Sequence, residues 1–192
     1  MITRLRAFSK RVLRPIAGAL VKSGLSANAV TYVGLLLSFV YVILAYFHYS
    51  PLLLAVILLA SSFMDALDGE VARLSGSAGP KGAFIDSSLD RAEDSLFLIG
   101  LLFLGFDPLV VAATIALSLM IPYLRARGEA LGLKMEGRGL VERGERLIFI
   151  FVILVVYSFS FPASEALLYL LAVLSLVTVL QRFYVIYSSF PK

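Results

Sequence analysis

The sequence predicts an all-α membrane protein: six transmembrane helices preceded by an N-terminal amphipathic juxtamembrane helix. Of its 192 residues, 60% are hydrophobic and only 16% are charged. A soluble domain of this size has close to half its residues apolar and about a quarter charged. The apolar residues also gather into stretches long enough to cross a bilayer, which takes about 20 residues. These stretches fall at 28–48, 51–74, 83–105, 108–128, 142–161 and 164–187. No long polar linker or low-complexity tract separates them, so two segments suffice, 1–24 and 25–192. Cysteine is absent, which excludes disulfides and thiolate metal sites.

The first segment interleaves Arg4, Arg6, Lys10, Arg11 and Arg14 with Leu5, Phe8, Val12, Leu13, Ile16, Leu20 and Val21. It lacks the apolar run and small-residue cleavage site of a signal peptide. Two readings suit it: a helix lying on an anionic membrane surface, or basic charge that fixes topology. Short turns at His48–Pro51, Gly105–Pro108 and Ser160–Ala163 join the members of three hairpins, and the connections Arg73–Gly82 and Ala126–Glu142 are polar. Basic residues outside the apolar stretches lie in the N-terminal segment, in those two polar connections and at the C-terminus. The positive-inside rule therefore places both termini and both polar connections in the cytoplasm of a multi-pass protein of the cell membrane. His48 and Tyr41, Tyr46, Tyr49, Tyr157 and Phe161 read as interfacial residues on the opposite side.

Acidic residues within membrane helices are costly, and their presence points to function. Asp65 and Asp68 sit near the end of the second stretch; Asp86, Asp90 and Asp94 sit in the first turns of the third. At 3.6 residues per turn, Asp65, Asp68, Gly69 and Ala72 share one helix face, and Asp86, Asp90 and Asp94 form a stripe on the next. The connection holds Gly76, Gly79, Pro80 and Gly82, so the two stripes can turn toward each other. Carboxylates gathered in this way need neutralising partners. Arg73 and Arg91 are one choice. Divalent cations are the other, and all-oxygen donors favour Mg²⁺, Mn²⁺ or Ca²⁺ over zinc. A pair of such cations suits phosphoryl-type transfer.

Asp65, Asp68, Gly69, Ala72, Arg73, Gly82, Asp86 and Asp90 occupy every fixed position of the pattern DxxDGxxARx8GxxxDxxxD. This resembles the signature of the CDP-alcohol phosphotransferases. The resemblance extends over 25–192, since the family core has six membrane helices with the motif on the second and third. It implies two divalent cations, Mg²⁺ or Mn²⁺, with Asp65 and Asp86 bridging both. Asp68 is then a ligand of one cation, and Asp90 a ligand of the other as well as the general base. It further implies that Gly69, Arg73 and Gly79 meet a CDP-lipid. Ala27, Asn28 and Thr31 resemble the family's Pro-Asn-x-x-Thr element, with Ala27 where proline is usual. That likeness assigns Asn28 and Thr31 to the CDP-lipid too, although Asn28 also suits a helix cap. A homodimer in the lipid bilayer is expected, with no nucleic-acid partner.

Arg125, Arg143, Arg146 and Arg182 suit recognition of a phosphate group on the acceptor alcohol. Lys134 and Arg138 read better as cytoplasmic topology charge. The arrangement of Arg125, Arg127, Glu129, Glu142, Arg143 and Arg146 resembles the family's subgroup that uses inositol phosphate. The expected reaction is transfer of an archaetidyl group from CDP-activated lipid to inositol phosphate, with release of CMP. The alternatives are CDP-diacylglycerol as donor or glycerol phosphate as acceptor. A membrane cation transporter is the reading from a different class. Transporter sites tend to lie at the bilayer midplane on broken helices, whereas these acids lie at helix ends.

Overall fold

The computed structural model describes residues 13–190. Among these residues it contains seven helices: α1 (13–22), α2 (Ala27–Tyr46), α3 (Pro51–Leu74), α4 (Pro80–Phe103), α5 (Pro108–Ala130), α6 (Arg143–Tyr157) and α7 (Phe161–Ser188). The N-terminal amphipathic segment is thus helical from residue 13 to 22, and its first twelve residues lie outside the described part.

Six crossings are not what the helices support. Only α2, α3, α5 and α7 are both long and apolar enough to span a bilayer. The reasons differ for the other two. α4 is 24 residues long, but Lys81, Asp86, Asp90, Arg91, Glu93 and Asp94 crowd its first fifteen, leaving too short an apolar remainder. α6 has 15 residues, which at 1.5 Å per residue reach about 22 Å, short of a hydrocarbon core of about 30 Å. Large apolar side chains stand exposed along the four spanning helices, among them Leu36, Val56, Leu109 and Leu180, as expected for surfaces facing lipid.

Local sequence explains where the helices begin and end. Proline opens α3, α4 and α5, a position where its missing N–H costs nothing. Asp107 caps α5 by accepting from the N–H groups of Leu109 (2.8 Å) and Val110 (3.3 Å). α3 closes at Gly76, whose φ of 68° lets the Ser77 N–H return to the Ala72 carbonyl at 3.0 Å. His48 does the same after α2 at φ 56°, a conformation uncommon for a side-chain-bearing residue.

The chain forms two compact units: Met1–Val40 with Val56–Glu93, and Tyr41–Ala55 with Asp94–Lys192. The core of the first joins Leu13 and Ala17 of α1 to Val30 of α2 and Leu67 and Val71 of α3, with Phe63 and Met64 packed against them. In the second, α7 packs on α5 and α6. Its buried residues Ser164, Leu168, Leu171, Ser175, Thr178 and Arg182 recur at alternating intervals of four and three, forming one seam. The facing side of α5 buries Thr114, Ser118 and Gly128. Small residues at such positions let membrane helices approach closely.

Candidate active site

The first unit contains a cavity of about 400 Å³ lined by α2, α3, the α3–α4 turn and the start of α4. Asn28, Thr31, Gly69, Arg73 and Gly79 all line it, together with Asp68 and Asp86. The structure therefore gathers the whole set expected for the CDP-lipid around one space. Residues outside that set also line it, with Ser26, Ser77 and Lys81 adding polar groups. Lys81 had one signal in the sequence, being the only charged residue between Arg73 and Gly82.

Thr31 donates from Oγ1 to Asp68 Oδ2 at 2.6 Å, and both residues are buried. Arg73 reaches Glu70 Oε2 through Nη2 at 2.6 Å and Nε at 3.0 Å. The Arg73 side chain stays 59% exposed, so its charge is available to a ligand in the cavity. Gly69 leaves a smooth wall: a Cβ there would meet only the Arg73 guanidinium, at 3.6 Å.

Asp65 does not line the cavity; its carboxylate rests against α2 at Gly34. A Cβ on Gly34 would stand 3.0 Å from Asp65 Oδ1 and 3.2 Å from Glu93 Oε1. Ser61, one turn before Asp65, donates to the Gly34 carbonyl at 2.9 Å and fixes this register. Glu93 is fully buried. Sequence reasoning passed it over because it lies outside the acidic stripe. Asp90 is paired with Arg91 at 3.2 Å.

The arginines expected to meet the acceptor belong to the second unit. Arg143 Nε donates to Asp94 Oδ1 at 3.1 Å, and Arg146 Nη2 to Asp94 Oδ2 at 2.5 Å. Arg182 is 2% exposed and uses all three nitrogens: Nε to the Arg138 carbonyl (2.8 Å), Nη1 to the Ile121 carbonyl (2.8 Å) and Nη2 to Glu142 (3.3 Å). Arg125 pairs with Glu129 at 2.9 Å near the surface. Asp94 thus serves two arginines of α6.

Residues 25–187 match the family described as CDP-alcohol phosphatidyltransferase. This chain belongs to that family. An archaetidylinositol phosphate synthase from Aeropyrum pernix is 46% identical over 138 residues, covering 72% of this chain and 71% of that protein. A crystal structure of the Mycobacterium tuberculosis phosphatidylinositol phosphate synthase with CDP-DAG bound superimposes with a TM-score of 0.83. It is 32% identical and covers 93% of this chain and 94% of that one. The same enzyme in complex with manganese and citrate gives a TM-score of 0.83 at 31% identity, with coverage of 92% and 89%. The chain is accordingly a CDP-alcohol phosphotransferase and a multi-pass membrane protein.

Divalent cations are implied by family membership, and the donor chemistry of this phosphotransferase fits them. Asp65, Asp68 and Asp86 offer only hard oxygen, and the negative charges of Asp65 and Asp86 both bear on Asp68. Among the described residues no three carboxylates stand close enough to share an ion as they lie. Asp68 accepts from Thr31, and Asp90 is paired with Arg91.

Proposed function

We propose that this enzyme transfers a phosphatidyl-type group from a CDP-activated lipid to inositol phosphate, releasing CMP at the cytoplasmic face of the membrane. The observation that carries the reading is the cavity in which Asn28, Thr31, Gly69, Arg73 and Gly79 surround Asp68 and Asp86. A nucleotide pyrophosphate needs a wall without side chains for close approach, which Gly69 and Gly79 supply, and a planar cation, which Arg73 supplies. Asp65, Asp68, Asp86 and Asp90 would hold two divalent cations, Mg²⁺ or Mn²⁺. When bound, these supply charge neutralisation to the pyrophosphate and to the departing CMP.

Asp90 takes the proton from an inositol hydroxyl. The freed oxygen attacks the lipid-linked β-phosphorus, and the bond from that phosphorus to the oxygen of CMP breaks. Arg125, Arg143, Arg146 and Arg182 hold the phosphate of the acceptor, which stays on the inositol throughout. Two copies are expected to associate as a homodimer, as the family resemblance implies. CDP-diacylglycerol is the favoured donor, on the strength of a relative whose structure, TM-score 0.83, was solved with CDP-DAG bound. The archaeol-based donor is the second reading, supported by 46% identity to an archaetidylinositol phosphate synthase.

The test is CMP release by the purified protein with CDP-diacylglycerol or CDP-archaeol, each offered inositol phosphate, glycerol phosphate, serine or free inositol. Inositol phosphate is expected to be the acceptor turned over. Turnover with CDP-archaeol alone would exchange the donor; preference for glycerol phosphate would overturn the acceptor. Absence of CMP in every combination would overturn both the donor and the acceptor assignments.

A further inference from the structure

Asp94 lies outside the eight fixed positions of the signature, yet it is 3% exposed and carries a full set of charged partners. Its two oxygens are divided between two arginines, Oδ1 to Arg143 and Oδ2 to Arg146. Arg146 is itself 3% exposed, so its guanidinium has left water and depends on a protein anion. The Arg143 side chain is 22% exposed and keeps access to solvent. One carboxylate thus holds two guanidinium groups, with both planar forks fixed in orientation. Forks fixed in this way lose little freedom when a phosphate group arrives.

We infer that Asp94 is a positioning residue for the acceptor: it orients Arg143 and Arg146 for the phosphate of inositol phosphate and takes no part in metal binding. This rests on the acceptor reading proposed above. The start of α6 is held from a second direction as well, since Arg182 binds Glu142 and the Arg138 carbonyl just before it. Asp94 therefore sets the direction of guanidinium groups whose main chain is already anchored.

Asp94→Asn in the full-length enzyme tests this. It removes the charge and one acceptor at nearly constant shape. The KM for inositol phosphate is expected to rise on the order of tenfold, with kcat changed less than about twofold. The KM for CDP-lipid and the affinity for Mn²⁺, measured by direct titration, are expected to stay unchanged. An unaltered KM for inositol phosphate, or weakened Mn²⁺ binding, would overturn the assignment. Should Asp94→Asn not fold, Asp94→Glu keeps the charge while displacing both guanidinium groups. It is then expected to raise the same KM severalfold, and no rise would be equally fatal. Wild-type enzyme that fails to use inositol phosphate would instead sink the acceptor reading, so the two failures are distinguishable.

Discussion

In the first unit Asn28, Arg73, Gly79 and Asp86 surround an open space of about 400 Å³. In the second, Arg146 and Arg182 are buried and committed to Asp94, Glu142 and main-chain carbonyls. The difference fits the two roles proposed for these units. A nucleotide is bulky, so its site consists of small residues that leave room, with charged groups at the margin. A phosphate is compact, and buried arginines that recognise it need protein anions to remain stable while it is absent. Substitutions in the first unit should therefore alter chemistry and metal binding at little cost to folding. In the second, stability and recognition are coupled.

The sharpest way to break this comparison is Asp90→Asn. Loss of the proposed base should reduce kcat by roughly 10² to 10⁴, while CDP-lipid binding stays within about twofold and thermal stability is preserved. Steady-state CMP release alongside a direct binding titration checks both. Retained turnover would move the base elsewhere.

A smaller effect is expected from Gly34→Ala. The added methyl would stand 3.0 Å from Asp65 Oδ1 and 3.2 Å from Glu93 Oε1, so both carboxylates must give by a few tenths of an ångström. Groups that orient a metal ligand are worth about tenfold or more in affinity. Mn²⁺ binding should accordingly weaken roughly tenfold, and the KM for inositol phosphate should not move. A change confined to that KM would mean that the two units are not functionally separate in the way described.

The motif residues were legible as a group because a signature carried on two consecutive helices fixes residue types at fixed local spacing. Helical periodicity grouped Asp65 with Asp68, and Asp86 with Asp90 and Asp94; the family resemblance separated Asp94 from the rest. The positions of the long helices were legible as well, with ends within a few residues of the apolar stretches. The number of crossings was not. An apolar stretch beginning at residue 83 includes the charged face of α4, and the expected span at 142–161 shrinks to a helix ending at Tyr157. Glu93 and Asp94 were not legible as to role either. Asp94 meets arginines 49 and 52 residues further along the chain, and no local pattern encodes such a meeting. Arg182 stood out as a charge within an apolar segment. Its partners include the carbonyls of Ile121 and Arg138, which carry no mark in a sequence because every residue has one.

Arg125 provides the mildest test, since it belongs to the second unit by position but resembles the first in being accessible. Its side chain is 42% exposed and pairs with Glu129 one turn along the same helix. Exposed pairs at this spacing contribute about 0.3–0.5 kcal/mol, so Arg125→Ala should leave the thermal midpoint nearly unchanged. Arg146→Ala differs sharply, because it leaves buried Asp94 Oδ2 without its donor while Arg143 keeps Oδ1, a loss of about 1–3 kcal/mol. If Arg125 meets the acceptor phosphate in water, the lost contact is worth about 1 kcal/mol, or roughly a fivefold rise in the KM for inositol phosphate. A destabilisation matching that of Arg146→Ala would show that burial does not separate these arginines. A KM that stays put would remove Arg125 from the acceptor site and leave recognition to the arginines that Asp94 holds.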